Sequence, residues 1–229
     1  QRAYDQIVHD VALQNLPVVF CLDRGGLVGE DGATHHGAFD LAYMRSIPNM
    51  VVSAPMNEVE LRNLMFTAQQ YGKGPFSIRY PRGRGVKVTW KQDFEALPIG
   101  KGQRVSDGEQ LAIISIGHTG NFVREAIDEL ISKQIKPAHY DMRFLRPIDE
   151  ELLDEVFSRF DKVITVEDGT ILGGLGSAVL EYAADHGYKA QIVRLGIPDR
   201  FIEHGKPEEL YRMCGFDSEG IIKTVKEIL

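Results

Sequence analysis

The chain has 229 residues, 43% hydrophobic and 26% charged, the composition of a folded globular protein with room for one large domain or two ordinary ones. Its 33 acids against 26 bases give a net charge of −7, which argues against nucleic-acid and anionic-membrane partners because both require a basic face. Two cysteines, Cys21 and Cys214, exclude a disulfide framework by number and read as buried thiols of a reducing cytoplasm, and no apolar run approaches the roughly 20 residues of a membrane span.

The opening "QRAYDQIVHD" has no initiator methionine and starts in mid-pattern, with Tyr4, Ile7, Val8 and Val11 at helical spacing, so the chain reads as cut from something longer. The spacing predicts a helix over 3–15, a buried strand over 16–23, a glycine-rich loop and a short helix near 39–46. A strand over 50–55, a helix over 57–72 and a strand over 75–81 follow. Asn57 is placed to cap that helix, Glu58 and Glu60 suit its first turn, and Gly72 ends it.

Residues 83–109 carry no clear period and read as an extended linker, pinned to the surface by Val86, Val88, Trp90, Phe94 and Leu97. Strands are then predicted over 111–117, 138–143, 162–168 and 190–196, with helices near 120–133, 149–160, 174–186, 207–213 and 218–228. "RFLRPID" (143–149) reads as a strand-to-helix connection with Asp149 at the helix start. The alternation predicts an α/β protein of two doubly wound parallel domains, residues 1–85 and 110–229, joined by a linker at 86–109.

Ligands of open parallel sheets bind outside the carboxyl ends of the strands. "DRGGLVGEDGATHHGAFD" (23–40) leaves the first strand there, and Arg79 to Arg82 end the third. Glycines at 25, 26, 29, 32 and 37 permit close backbone approach to a ligand. His35 and His36 can move protons near neutral pH, and Asp31 can orient a ring or bind an alcohol. Arg24 and Arg82 are forks suited to phosphate, within a basic set (Arg24, Arg79, Arg82, Arg84) that would favour an anionic small molecule. The plainer alternative is a set of turns, surface histidines and arginines paired with neighbouring acids. A metal on Asp31, His35 and His36 is the weaker reading, because adjacent histidines in extended chain face opposite ways.

A second glycine-rich segment, "VITVEDGTILGGLGSAVLE" (163–181), opens a helix with G-G-x-G. That entry can hold an anion, but Val179 breaks the dinucleotide spacing, and close packing of helix on sheet is the preferred reading. His118 in "SIGHTGN" reads as structural, with Thr119 or Asn121 as the cap. Phe201 and His204 of "GIPDRFIEHG" are left open between the first domain and a partner subunit.

"GEDGATH", between a hydrophobic strand and "RSIPNMVVSAP", resembles the pyrimidine-binding domain of the transketolase-like thiamine diphosphate enzymes. Within that group, "DRGGLVGEDGATHHGAFDL" and "IRYPRG" together are similar to the 1-deoxy-D-xylulose-5-phosphate synthases, and the resemblance covers essentially the whole chain. Transketolases share the G-x-DG-x-TH core but lack the "YPRG" strand end and the "DR-x-G-x-VG" entry. The beta subunits of 2-oxo acid dehydrogenases match only the layout.

The resemblance implies a transferase that joins pyruvate to glyceraldehyde 3-phosphate with loss of CO2, feeding isoprenoid, thiamine and pyridoxal synthesis. It implies thiamine diphosphate and Mg²⁺ as cofactors, and a homodimer in the bacterial cytoplasm. Carried onto this sequence, Asp31 and His35 contact the aldehyde and its adduct, with His35 assisting proton transfer. Arg24 and Arg82 hold the phosphate, and Arg2 lines the pocket. The family's activating glutamate and stacking aromatic are expected upstream of Gln1, as is its magnesium site; Asp31-Gly32, Asp107-Gly108 and Asp168-Gly169 lack the asparagine of that pattern. The expectation is a C-terminal piece, inactive by itself. The alternatives are a transketolase or oxo-acid dehydrogenase beta-type subunit, and a noncatalytic structural module.

Overall fold

Apolar runs too short for helices, separated by amphipathic helices, become strands covered on both faces. The computed structural model describes residues 1–86 and 89–229, so Val88 of the expected linker anchors lies outside the described residues. The first half runs α1 (Tyr4–Gln6), a π-helical stretch Ile7–Ala12, β1 (Val19–Leu22), a 3₁₀ turn Gly29–Asp31 and α2 (Asp40–Arg45). Then come β2 (Val51–Ser53), α3 (Glu58–Tyr71) and β3 (Phe76–Arg79). The expected single helix over 3–15 is therefore shorter and largely π-helical.

Asn57 Oδ1 accepts hydrogen bonds from the amides of Val59 and Glu60, and Gly72 closes α3 at φ +56°, a left-handed conformation that glycine adopts without a Cβ clash. β1, β2 and β3 are parallel in the order β1-β3-β2, so the ends of β1 and β3 lie side by side.

The second half runs β4 (Gln103–Ser106), β5 (Ala112–Ser115), α4 (Thr119–Ile131), β6 (Ala138–Asp141), β7 (Phe144–Arg146) and α5 (Glu150–Arg159). β8 (Lys162–Thr170), α6 (Leu175–Asp185), β9 (Gln191–Ile197), α7 (Pro207–Cys214) and α8 (Ser218–Ile228) complete it. Its sheet has the order β4-β6-β5-β8-β9, parallel except for β4.

Two departures from the expected pattern bear on how the halves join. The stretch read as lacking regular structure contains β4, and the connection 143–149 contains β7, which leaves its own half to pair antiparallel with β2. Each sheet is thus mixed, with one antiparallel edge strand. Arg143, just before β7, donates from Nε to Glu60 Oε1 of α3 at 2.9 Å. Asp149 caps α5 through the Leu152 amide, as its position predicts.

The two halves share one core. Leu41, Met44 and Ile47 pack in the same cluster as Ile114, Ile116, Leu175 and Val179. The segment after β3 is tied down by Leu97, which is buried, and by Phe94, which stacks on Phe66 with centroids 5.4 Å apart. Arg62 of α3 lies over both Trp90 and Phe94. The thiols depart from expectation: Cys21 is exposed on the face of β1 that it shares with exposed Val19, and Cys214 is half-buried at the end of α7.

Candidate active site

The loop from Arg24 to Gly37 leaves β1 and returns to its own stem. Gly26 and Gly37 exchange backbone hydrogen bonds of 2.9 and 2.8 Å, and the Gly25 amide donates to Tyr80 O at 2.9 Å. Between these arms Leu27, Val28 and Gly29 are buried, while Glu30, Asp31 and Thr34–His35 face solvent.

At the outer face the structure brings three of the expected residues together. Asp31 Oδ2 pairs with Arg82 Nη1 and lies 3.9 Å from Arg24 Nε. The arginine side chains are about half exposed (47% and 54%). Ion pairs this wet are worth little, so a dianion can take both guanidinium groups from Asp31 at small cost. Beside Arg82 a cavity of about 300 Å³ opens, walled by Met56, Leu61 and Tyr80 and by His118 and Asn121. Arg2 is exposed at the start of the chain and, among the described residues, pairs with none of this group.

The adjacent histidines divide. His35 is exposed, and its Nδ1 is engaged by Thr34 Oγ1 at 2.9 Å. His36 is buried: Nδ1 accepts from the Val28 amide at 3.1 Å, so the proton sits on Nε2, 3.4 Å from Glu203 O. His36 is therefore a strut inside the loop, and His35 is the one available for chemistry.

Arg79 corrects the reading of a local basic set. Its side chain is 1% exposed and is committed to two acids and two backbone carbonyls. Nε donates to both oxygens of Asp40 at 3.1 and 3.2 Å, Nη1 to Asp168 Oδ1, and Nη2 to Gly37 O and Asp168 O at 3.1 Å each. These bonds use four of its five N–H donors, and burial keeps the side chain from a solvent-borne ligand. Burial works against charge on Asp168, but Arg79 and then His118 outweigh it and hold that carboxyl well below the ordinary range. Asp40 is raised, chiefly by burial, with Arg79 offsetting only part. Burial also opposes the Arg79 charge, yet Asp168 and Asp40 push its pKa up. His118 Nδ1 stands 3.1 Å from Asp168 Oδ2, close enough for an ion pair but not aligned as a hydrogen bond.

Asp40, Asp168 and His118 are the members of this cluster that sequence reasoning passed over or set aside. Asp168 lies on a strand of the second sheet, 89 residues from Arg79. The signal the sequence offers is its place before Gly169, where a turn is expected but β8 continues to Thr170.

The second domain braces the loop again through 203–207. Gly29 packs against Gly205 and Pro207, and Gly32 against His204. Phe201 meets Phe39 edge-on with centroids 6.5 Å apart. Phe201 and His204, left open from sequence, thus meet the first domain. Thr119 and Asn121 do not cap α4, since both donate to carbonyls instead.

The G-G-x-G entry of α6 is filled from within. Glu167 accepts the amides of Leu175 and Gly176 at 3.0 and 2.9 Å, and a Cβ at Gly174 would strike its carboxylate. Burial pushes the Glu167 carboxyl up to about 7, with those two amides and Arg79 pulling the other way. Glu167 thereby occupies two of the amides that this helix terminus would offer an anion. Among the described residues, no group of three or more His, Cys, Asp or Glu side chains could hold a metal ion.

The geometry defines a class: a two-domain α/β protein whose glycine-rich loop sits at the strand ends of one domain and is propped by the other. Residues 1–86 match the family model "Transketolase, pyrimidine binding domain" and residues 100–221 match "Transketolase, C-terminal domain", so the chain belongs to the transketolase family. Within that family its sequence is similar to 1-deoxy-D-xylulose-5-phosphate synthases. That of Cytophaga hutchinsonii is 63% identical over 229 residues, and that of Aquifex aeolicus 48% over 229, each covering 100% of this chain and 36% of the relative. That of Bacteroides thetaiotaomicron is 60% identical over 226 residues, 98% of this chain and 35% of the relative. The chain thus spans little more than a third of the curated relatives it matches. A solved chain described as "Split gene transketolase, inactive beta4 tetramer" superposes with a TM-score of 0.87 at 30% identity, covering 100% of this chain and 71% of that one.

Proposed function

We propose that these residues are the C-terminal part of a 1-deoxy-D-xylulose-5-phosphate synthase and carry the acceptor side of its active site. The observation that carries the reading is the Arg24–Asp31–Arg82 group at the adjoining ends of β1 and β3, with His35 on the same loop. The whole enzyme would condense pyruvate with glyceraldehyde 3-phosphate, losing CO2, as a bacterial cytoplasmic homodimer feeding isoprenoid, thiamine and pyridoxal synthesis. Thiamine diphosphate and Mg²⁺ would be held by parts of the enzyme other than these residues.

Each residue has a separable task. Arg24 and Arg82 take the phosphate dianion with charge-assisted hydrogen bonds, displacing Asp31. Asp31, once released, accepts a hydrogen bond from the acceptor's hydroxyl group. As the new carbon–carbon bond forms, the aldehyde oxygen gains negative charge, and His35 Nε2 supplies its proton. The contact between His35 Nδ1 and Thr34 fixes which ring nitrogen faces that oxygen. Arg2 would reach the pocket only in the complete enzyme.

This chain alone is expected to be inactive. The solved split-gene relative, described as inactive, superposes on the same portion and supports that expectation. In the intact enzyme, Arg82→Ala should raise KM for glyceraldehyde 3-phosphate roughly 10- to 100-fold, the loss of a hydrogen-bonded charge contact. KM for unphosphorylated glyceraldehyde should stay within twofold. Equal KM changes for both aldehydes would remove the phosphate role.

A further inference from the structure

The loop bearing Arg24, Asp31 and His35 belongs to the first domain, yet its stem rests on a group from the second. A Cβ on Gly25 would meet the Arg79 guanidinium, and one on Gly26 would meet the Asp168 carboxylate. Gly26 holds φ +77°, so this position needs glycine both for its backbone and for its closeness to Asp168. Gly37, on the returning arm, gives its carbonyl to Arg79. Arg79 ends β3, three residues before Arg82. One buried guanidinium thereby ties together both arms of the loop and the strand end that presents its partner arginine.

We propose that Asp168, acting through Arg79, is a positioning residue for the acceptor-binding loop: the second domain sets the register of Arg24, Asp31 and His35 against Arg82. The proposal rests on the functional reading above. Asp168 side-chain exposure is 0%, so water cannot replace its contacts if the geometry slips. Asp40 supplies the other half of the clamp from within the first domain and cannot fix the loop relative to β8. An error near 1 Å in such positioning can cost about 100-fold in rate, which makes a rigid stem valuable beneath an exposed loop.

The test pairs two measurements on Asp168→Asn. In the 229-residue chain, amide hydrogen exchange at Gly25, Gly26 and Gly37 should quicken at least tenfold, while Ile113 and Ile114 of β5 stay unchanged. In the intact enzyme, KM for glyceraldehyde 3-phosphate should rise tenfold or more with KM for pyruvate within twofold. Unchanged exchange at the stem, or equal shifts in both KM values, would overturn the proposal. Should Asp168→Asn fail to fold, Arg79→Lys keeps the buried charge but loses the fork that reaches Asp168 and Gly37 together, and the same readings apply. The exchange result needs no substrate assignment. An intact wild-type enzyme that failed to couple the two substrates would remove the functional reading and leave the stem result standing.

Discussion

Arg79→Met is expected to lower the stability of the folded chain by about 3–5 kcal/mol, the usual cost of removing one partner from a buried charge cluster. Methionine fills most of the space but leaves Asp40 and Asp168 with no cation between them, in a site with 6% and 0% side-chain exposure. The loss should depend on pH in a definite sense. In the native chain Asp168 is held below its ordinary value of 3.8, so it adds stability above that value and loses it as pH falls through the depressed one. In the variant only His118 remains to oppose burial, so the same carboxyl lies higher than in the native chain and acid relieves it by protonation. The gap between the two proteins should therefore be widest above about pH 5 and narrow toward pH 3. Urea melts at both ends of that range read it directly. A loss below about 1 kcal/mol at pH 7 would mean that solvent or rearrangement replaces the clamp.

His35→Asn should lower turnover of the intact enzyme by about 10²- to 10⁴-fold, the range for a lost general acid. His36→Asn should act on stability instead. His36 holds the Val28 amide inside the loop, and an unpaired buried amide costs about 1–3 kcal/mol. The neighbours thus offer an internal control, since any general damage to the loop should be worse for the buried ring. If His36→Asn slowed turnover more than His35→Asn without loosening the fold, the assignment of the proton-transfer group would be reversed.

The comparison of the two histidines shows where reading a sequence stops. That adjacent side chains face opposite ways follows from backbone geometry, but which of them turns inward depends on Val28 and on Glu203, far along the chain. Arg79 is a sharper case. Beside Arg82 and Arg84 it reads as part of a ligand-binding set, and only acids 39 and 89 residues away consume it. β4 and β7 escaped for a similar reason: strands of four and three residues at sheet edges owe their form to a partner strand, not to their own pattern. By contrast, the alternating core strands and the caps at Asn57 and Asp149 were legible, because burial and capping are local demands. The Arg24–Asp31–Arg82 group was legible from strand ends and from motif resemblance combined. Arg2 was placed with it by resemblance alone, and the structure leaves it apart.

The preference for pyruvate as donor tests the central claim most directly. An intact enzyme carrying this sequence, given thiamine diphosphate, Mg²⁺ and glyceraldehyde 3-phosphate, should release CO2 from pyruvate and form 1-deoxy-D-xylulose 5-phosphate, with the 229-residue chain alone releasing none. Transfer from a ketose phosphate in place of pyruvate, or CO2 release by the chain alone, would contradict the account.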